Sequence, residues 1–264
     1  MQIAFDRTGD GPPLVLLHPL GCDRHVWDPV TERLARDHTV IAIDLPGFGE
    51  SPPLTGVEPT PHALAEAVAV QLARMDLRRP HLAGNSLGGW VALELGLQDA
   101  VASVTAIAPA GLWQRRLAPK ASVGHHVART LLPLAERLMH THAGRRVLLT
   151  GSIAHPERMS SRDAAHLVRV YARAPGFVAV NNAMRAGHFS GLERIRCPVT
   201  FVWPERDRLI ERPQWIPETV RNIDIADAGH IPMWDAPREV AGAMLAGSRP
   251  QPLTTLPADP RARA

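Results

Sequence analysis

Lysine is almost missing from this chain. Of its 29 basic residues only Lys120 is a lysine, and the rest are arginine. With 26 acidic residues the formal net charge is only +3. Arginine pairs occur at Arg78–Arg79, Arg115–Arg116 and Arg145–Arg146, but acids are scattered among them. That pattern describes solvated faces and excludes nucleic acid as an expected partner. Cysteine is scarce too. Cys22 and Cys197 cannot make a disulfide framework in 264 residues. No run of about 18 apolar residues occurs, so neither a membrane span nor a membrane partner is expected. The opening MQIAFDRTGDG lacks a basic stretch followed by an apolar one, so no secretory signal is expected. The expected compartment is the cytosol, with both thiols reduced. No glycine-rich loop ends in Lys-Ser or Lys-Thr, which excludes that kind of phosphate site. His125–His126 and the pair His140 and His142 have no carboxylate or thiolate nearby at metal-site spacing. Neither a metal nor a cofactor is expected.

What remains is ordinary in bulk: 45% hydrophobic and 21% charged residues, in a length that suits one large domain or a domain with an insertion. The pattern along the chain is more informative. Leu14–His18 (LVLLH) is short and wholly apolar, as a strand buried on both faces should be. Trp27, Val30 and Leu34 follow at helical spacing. Thr39–Asp44 reads as the next strand. Thr60 is a plausible N-cap with Pro61 at the first helical position, and Leu64, Val68, Leu72 and Met75 form an apolar stripe. His81–Asn85 is a third strand running into Ser86, after which Leu87, Val91 and Leu95 continue at helical spacing. Val104–Gly111 is a fourth strand, Cys197–Trp203 a fifth and Asn222–His230 a sixth. A last helix starts near Pro237. Strand–helix alternation with apolar strands predicts an α/β fold: a mostly parallel central sheet flanked by helices. Residues 112–188 break the alternation and read as an inserted helical cap. The core is then 1–111 and 189–247, and the proline-rich 248–264 reads as a disordered tail.

One short stretch asks for an explanation. In GNSLGG, Gly84 and Gly88 flank Ser86 at the junction of a strand and a helix. A chain that turns from strand to helix within one residue is tight. The serine is pushed into a strained conformation with its hydroxyl exposed, and a Cβ at either glycine would clash with neighbouring backbone. A serine hydroxyl is a weak nucleophile unless a base takes its proton. The site therefore also needs a histidine, an acid that orients it, and backbone donors for an oxyanion.

At this point the chain resembles the α/β-hydrolase superfamily over roughly residues 1–247. GNSLGG looks like its nucleophile elbow. DLPGFGES (Asp44–Ser51) is similar to the loop after the strand preceding the elbow strand. HPLG (His18–Gly21) resembles the oxyanion loop, with Pro19 where glycine is usual. WPERDRLI (Trp203–Ile210) resembles the acid loop, and AGHIPMWDAP (Ala228–Pro237) the histidine loop. The order serine, acid, histidine is the superfamily's. The resemblance implies Ser86 as nucleophile, His230 as base and Asp207 as orienting acid. Glu205, Asp224, Asp227 and Asp235 are rival carboxylates. The implied oxyanion donors are the amides of Leu20 and Leu87. Trp113, Leu209 and Ile231 are assigned to the substrate pocket. Arg115, Arg116 and Arg185 read as solvated surface rather than an anion site. The resemblance implies a serine esterase or enol-lactonase-like member acting on a small-molecule ester, lactone or thioester. The alternatives are a carbon–carbon bond hydrolase or lyase using the same site, and a non-catalytic receptor on this fold. Many members begin with an extra antiparallel edge strand. This chain is expected to lack it and to start with a strand near Gln2–Asp6.

Overall fold

A computed structural model describes residues 2–113, 115, 117–118 and 123–249. Arg116 and residues 250–264 of the proposed 248–264 tail lie outside those residues. The first strand is β1 (Phe5–Thr8), followed by β2 (Pro13–Leu17). Helix α1 (Asp28–Leu34) leads to β3 (Thr39–Ile43), and α2 (Pro61–Arg74) to β4 (His81–Asn85). Helix α3 (Leu87–Gly96) then precedes β5 (Ser103–Ile107). Five helices come next: α4 (Val123–Thr130), α5 (Leu132–Leu138), α6 (His142–Leu149), α7 (Ser161–Arg173) and α8 (Phe177–Ala186). The chain closes with β6 (Val199–Pro204), β7 (Arg221–Ile225) and α9 (Pro237–Ser248).

The strands make one sheet in the order β1-β3-β2-β4-β5-β6-β7. Only β1 runs antiparallel, pairing Phe5 with Ile43 and Thr8 with Val40. Among the described residues β1 is thus the edge and no further strand precedes it. The central strands carry apolar side chains on both faces, because both faces are covered. Val15, Leu17, Ile41, Ile43 and Phe201 pack in a core with α2 and α3. Leu14, Leu16, Val40, Ala42 and Val202 pack in a second core with α1 and α9. Trp27, Val30 and Leu34, spaced as one helical face, are all fully buried in that second core. The helix α2 starts as its sequence predicts: Thr60 accepts the Ala63 amide at 3.1 Å, and Pro61 fills the first position.

The last strand is shorter than its apolar pattern suggests. Pairing stops at Ile225, because the chain turns at Asp227, where φ is +57°, before reaching His230. The inserted helices reach both cores: Val180 and Met184 join the first, and Met139, Leu149, Ile153, Ala164 and Ala165 the second. Gly176, just before α8, donates its amide to Gly47 O at 2.9 Å in the segment after β3. No helix among the described residues is long and apolar enough to cross a membrane.

Candidate active site

The elbow is built as the glycines require. Ser86 lies between β4 and α3 with φ +55° and ψ −114°, a region that a residue bearing a Cβ rarely occupies. The backbone around it holds the strain. The Ser86 amide donates to Ile107 O at 2.9 Å, and its carbonyl accepts from the amides of Trp90 (3.1 Å) and Ala110 (3.0 Å). A Cβ on Gly84 would overlap the Gly88 carbonyl, and one on Gly88 the Leu17 carbonyl. These positions are glycine because two stretches of main chain touch there.

His230 follows β7 in a loop. Its Nδ1 lies 2.7 Å from Asp207 Oδ2, and both side chains are about 5% exposed. Asp207 is fixed from behind: its Oδ1 accepts the amides of Leu209 (2.7 Å) and Ile210 (3.1 Å). With Nδ1 bonded to the carboxylate, Nε2 is the nitrogen left to take a proton. The backbone carbonyl of His230 accepts Asn85 Nδ2 at 3.1 Å, and the same amide group bridges to Ile107 O at 3.0 Å. The residue preceding the serine therefore ties the histidine loop to the sheet. Asn85 carried a readable signal, its place inside the elbow motif, but the span of 145 residues to His230 did not show in the sequence.

The rival acids have other work. Asp224 pairs with Arg212 at 2.8 Å, and Asp227 with Arg206 and His155 at 2.8 Å each. Glu205 accepts the Asp227 amide at 3.3 Å. Asp235 bonds three backbone amides and no histidine ring.

The His18–Gly21 loop leaves β2 at His18. This ring is fully buried, donates from Nδ1 to Pro19 O at 2.8 Å and accepts the Leu45 amide on Nε2 at 2.9 Å. Burial lowers its pKa below the ordinary 6.5, which keeps it the neutral strut between two loops. Two residues on, the Leu20 amide donates to no described residue. Leu87 is the first residue of α3, so its amide has no intrahelical acceptor and the helix's partial positive end lies with it. Such donors are what a developing oxyanion needs.

The pocket residues are spread out. Trp113 is half-buried, edge-on to Trp90, and donates Nε1–H to Gly187 O at 2.9 Å. Ile231 is buried beside Ala228 and Met233 in the second core. The Leu209 side chain is 57% exposed, and what it brings to the site is its amide. Arg115 is exposed, and Arg185 donates Nε–H to Ala118 O at 2.7 Å. A cleft of about 300 Å³ opens beside Asp207, between Trp203, Ile210 and Arg212, but neither Ser86 nor His230 lines it. Both thiols are free, and burial pushes the Cys197 thiol up to about 11, while Cys22 rises further. Neither is a thiolate at neutral pH. No group of three or more metal-ligating side chains occurs among the described residues.

Helix α7 touches the segment after β2 through an ion pair. His166 on α7 places Nε2 2.8 Å from Asp23 Oδ2. That hydrogen bond raises His166 above 6.5. Burial alone would raise Asp23, but the His166 hydrogen bond and nearby histidine charges outweigh it and hold Asp23 below 3.8. The raised histidine contributes fully below 6.5 and loses its contribution as pH rises through its folded value. The lowered carboxylate contributes fully above 3.8 and loses it as pH falls through its folded value. The pair is therefore whole between those two values. The Tm advantage of wild type over His166→Gln should be largest near pH 5 to 6 and shrink toward zero at alkaline pH, about pH 9. A gap that widens with pH would refute the pairing.

With this geometry in place, comparison with known proteins gives the class. Residues 14–243 match the Alpha/beta hydrolase family, and the chain belongs to it. It is 41% identical over 97 residues to the pimeloyl-[acyl-carrier protein] methyl ester esterase of Aeromonas salmonicida (strain A449). That match spans 37% of each chain, so this protein aligns with little more than a third of that relative's length. It is 29% identical over 191 residues to epoxide hydrolase EphH of Mycobacterium tuberculosis, covering 67% of this chain and 89% of the relative. Among solved structures, a thermophilic esterase from Thermogutta terrifontis superimposes with a TM-score of 0.70 at 25% identity, covering 92% of both chains. The enol-lactonase from Burkholderia xenovorans LB400 superimposes with a TM-score of 0.71 at 20% identity, over 92% of this chain and 95% of its own, which speaks to the fold alone.

Proposed function

We propose that the protein is a serine hydrolase of a small-molecule ester, lactone or thioester, working through an acyl-enzyme. Ser86 Oγ attacks the carbonyl carbon and His230 Nε2 takes its proton. Asp207 holds the Nδ1–H tautomer and stabilises the imidazolium that forms. The Leu20 and Leu87 amides receive the developing oxyanion. His230 then gives the proton to the leaving oxygen or sulfur and activates water, which releases the acid from Ser86. The five inserted helices act as a cap that shapes the substrate space. The carrying observation is the 2.7 Å His230–Asp207 contact, held by two amides behind the acid, with a positive-φ serine at the head of a helix. Relatives named as esterases support the same chemistry. The two free thiols accord with a reducing, cytosolic setting.

Rapid mixing with an activated ester, followed by acid quench and peptide mapping, tests this reading. One acyl group on the Ser86 peptide, formed faster than steady-state turnover, is the expected result. Turnover without any trappable acyl-serine, for ester, lactone and thioester alike, would favour a lyase using the same serine and histidine. No turnover at all would favour a receptor.

A further inference from the structure

Asp235 was one of the acids that could have oriented the base, and it does something else. Its Oδ2 accepts the Gly229 amide at 2.8 Å and the Ala154 amide at 2.9 Å, and its Oδ1 accepts the His155 amide at 2.8 Å. Gly229 immediately precedes His230. On the other side, the Ile231 amide donates to Ser152 O at 2.8 Å. Both neighbours of His230 are thus bound into one assembly with residues 152–155, which belong to the inserted helical region between α6 and α7. The fit is close. A Cβ on Gly229 would lie 2.8 Å from Ala154 N and 2.9 Å from Ser152 O. His155 adds a further tie, with Nε2 2.8 Å from Asp227 Oδ2.

We infer that Asp235 is a positioning residue for His230, and that the 152–155 segment is part of the frame that aims the base. The inference rests on the base role proposed for His230. Asp235 touches no substrate atom. It acts by holding the main chain on which the imidazole is carried. Amides bound to a carboxylate make strong hydrogen bonds, and removing the carboxylate leaves three donors without it. The loop then relaxes, while the Asp207 contact constrains only the ring's Nδ1 edge. A shift of about 1 Å at a reacting group costs about 100-fold in rate. Substrate binding depends on other surfaces and is not affected by that shift.

The test compares Asp235→Ala and Asp235→Asn with wild type. Asn keeps one carbonyl oxygen, so it should lie between the other two. A fall in kcat of about 30-fold or more for Ala, with KM within about twofold, is the expected split. The low-field proton NMR signal of the His230–Asp207 hydrogen bond should shift or broaden in the same order. Gly229→Ala perturbs the same assembly from its other side and should move the same two readouts, which covers the case of an unstable Asp235→Ala. If a folded Asp235→Ala keeps kcat within about twofold and leaves the low-field proton unmoved, the inference is wrong. A failed base assignment looks different: Ser86 reactivity would then survive His230→Ala in the wild-type background, and the NMR signal would still report whether Asp235 holds the ring.

Discussion

Ser86→Ala is expected to abolish labelling by a fluorophosphonate probe and to lower ester turnover by a factor of about 10⁶. Wild type should be labelled once, at Ser86, and His230→Ala should suppress labelling by orders of magnitude. The fold should not suffer, because no side-chain hydrogen bond of Ser86 caps α3. The backbone strain at φ +55° is the same for alanine and costs on the order of 1–3 kcal/mol. Ser86→Gly should therefore be equally inactive yet more stable than wild type, by about 1 kcal/mol in urea unfolding. An unlabelled wild type would end the nucleophile assignment, and an unchanged Ser86→Gly midpoint the strain assignment.

The second large effect is at Asp207. In Asp207→Asn one amide atom must face the Leu209 and Ile210 amides, and only the oxygen can accept them. The NH₂ group is then turned toward His230 Nδ1. It donates there and imposes the tautomer with hydrogen on Nε2, which cannot take the serine's proton. Turnover should fall by about 10⁴ with the fold intact. Glu205→Gln, at a carboxylate that accepts the exposed Asp227 amide, should stay within about threefold. The reverse ranking would make Glu205 the acid.

The parts legible in the sequence are those encoded locally. The apolar runs at Leu14, Thr39, His81 and Val104 became adjacent parallel strands, because a side chain buried on both faces has few alternatives. Gly84 and Gly88 announced the elbow because only a missing Cβ permits that approach. The choice among acids was less legible. Asp207, Asp224, Asp227 and Asp235 are the same functional group on neighbouring loops, and their roles depend on which amides and arginines the fold brings up. The Asp235 partners Ala154 and His155 are donors through the main chain, so no residue type marks them. The β7 boundary was overrun for a related reason. Apolar alternation continued past Ile225, and the positive φ at Asp227 left no mark beyond an aspartate.

The contact between Gly88 and the Leu17 carbonyl joins the helix that follows Ser86 to the strand that leads into His18. That joint is main chain against main chain, with no side chain whose exchange could adjust it. The loop carrying His230 and the 152–155 segment are joined partly by main chain, through the Ile231 amide and Ser152 O, and partly through the exchangeable side chains of Asp235, Asp227 and His155. Drift in sequence can therefore change how the His230 loop is held against that segment in small heritable steps. The spacing between the Ser86 turn and the loop that follows β2 is inherited whole or lost whole.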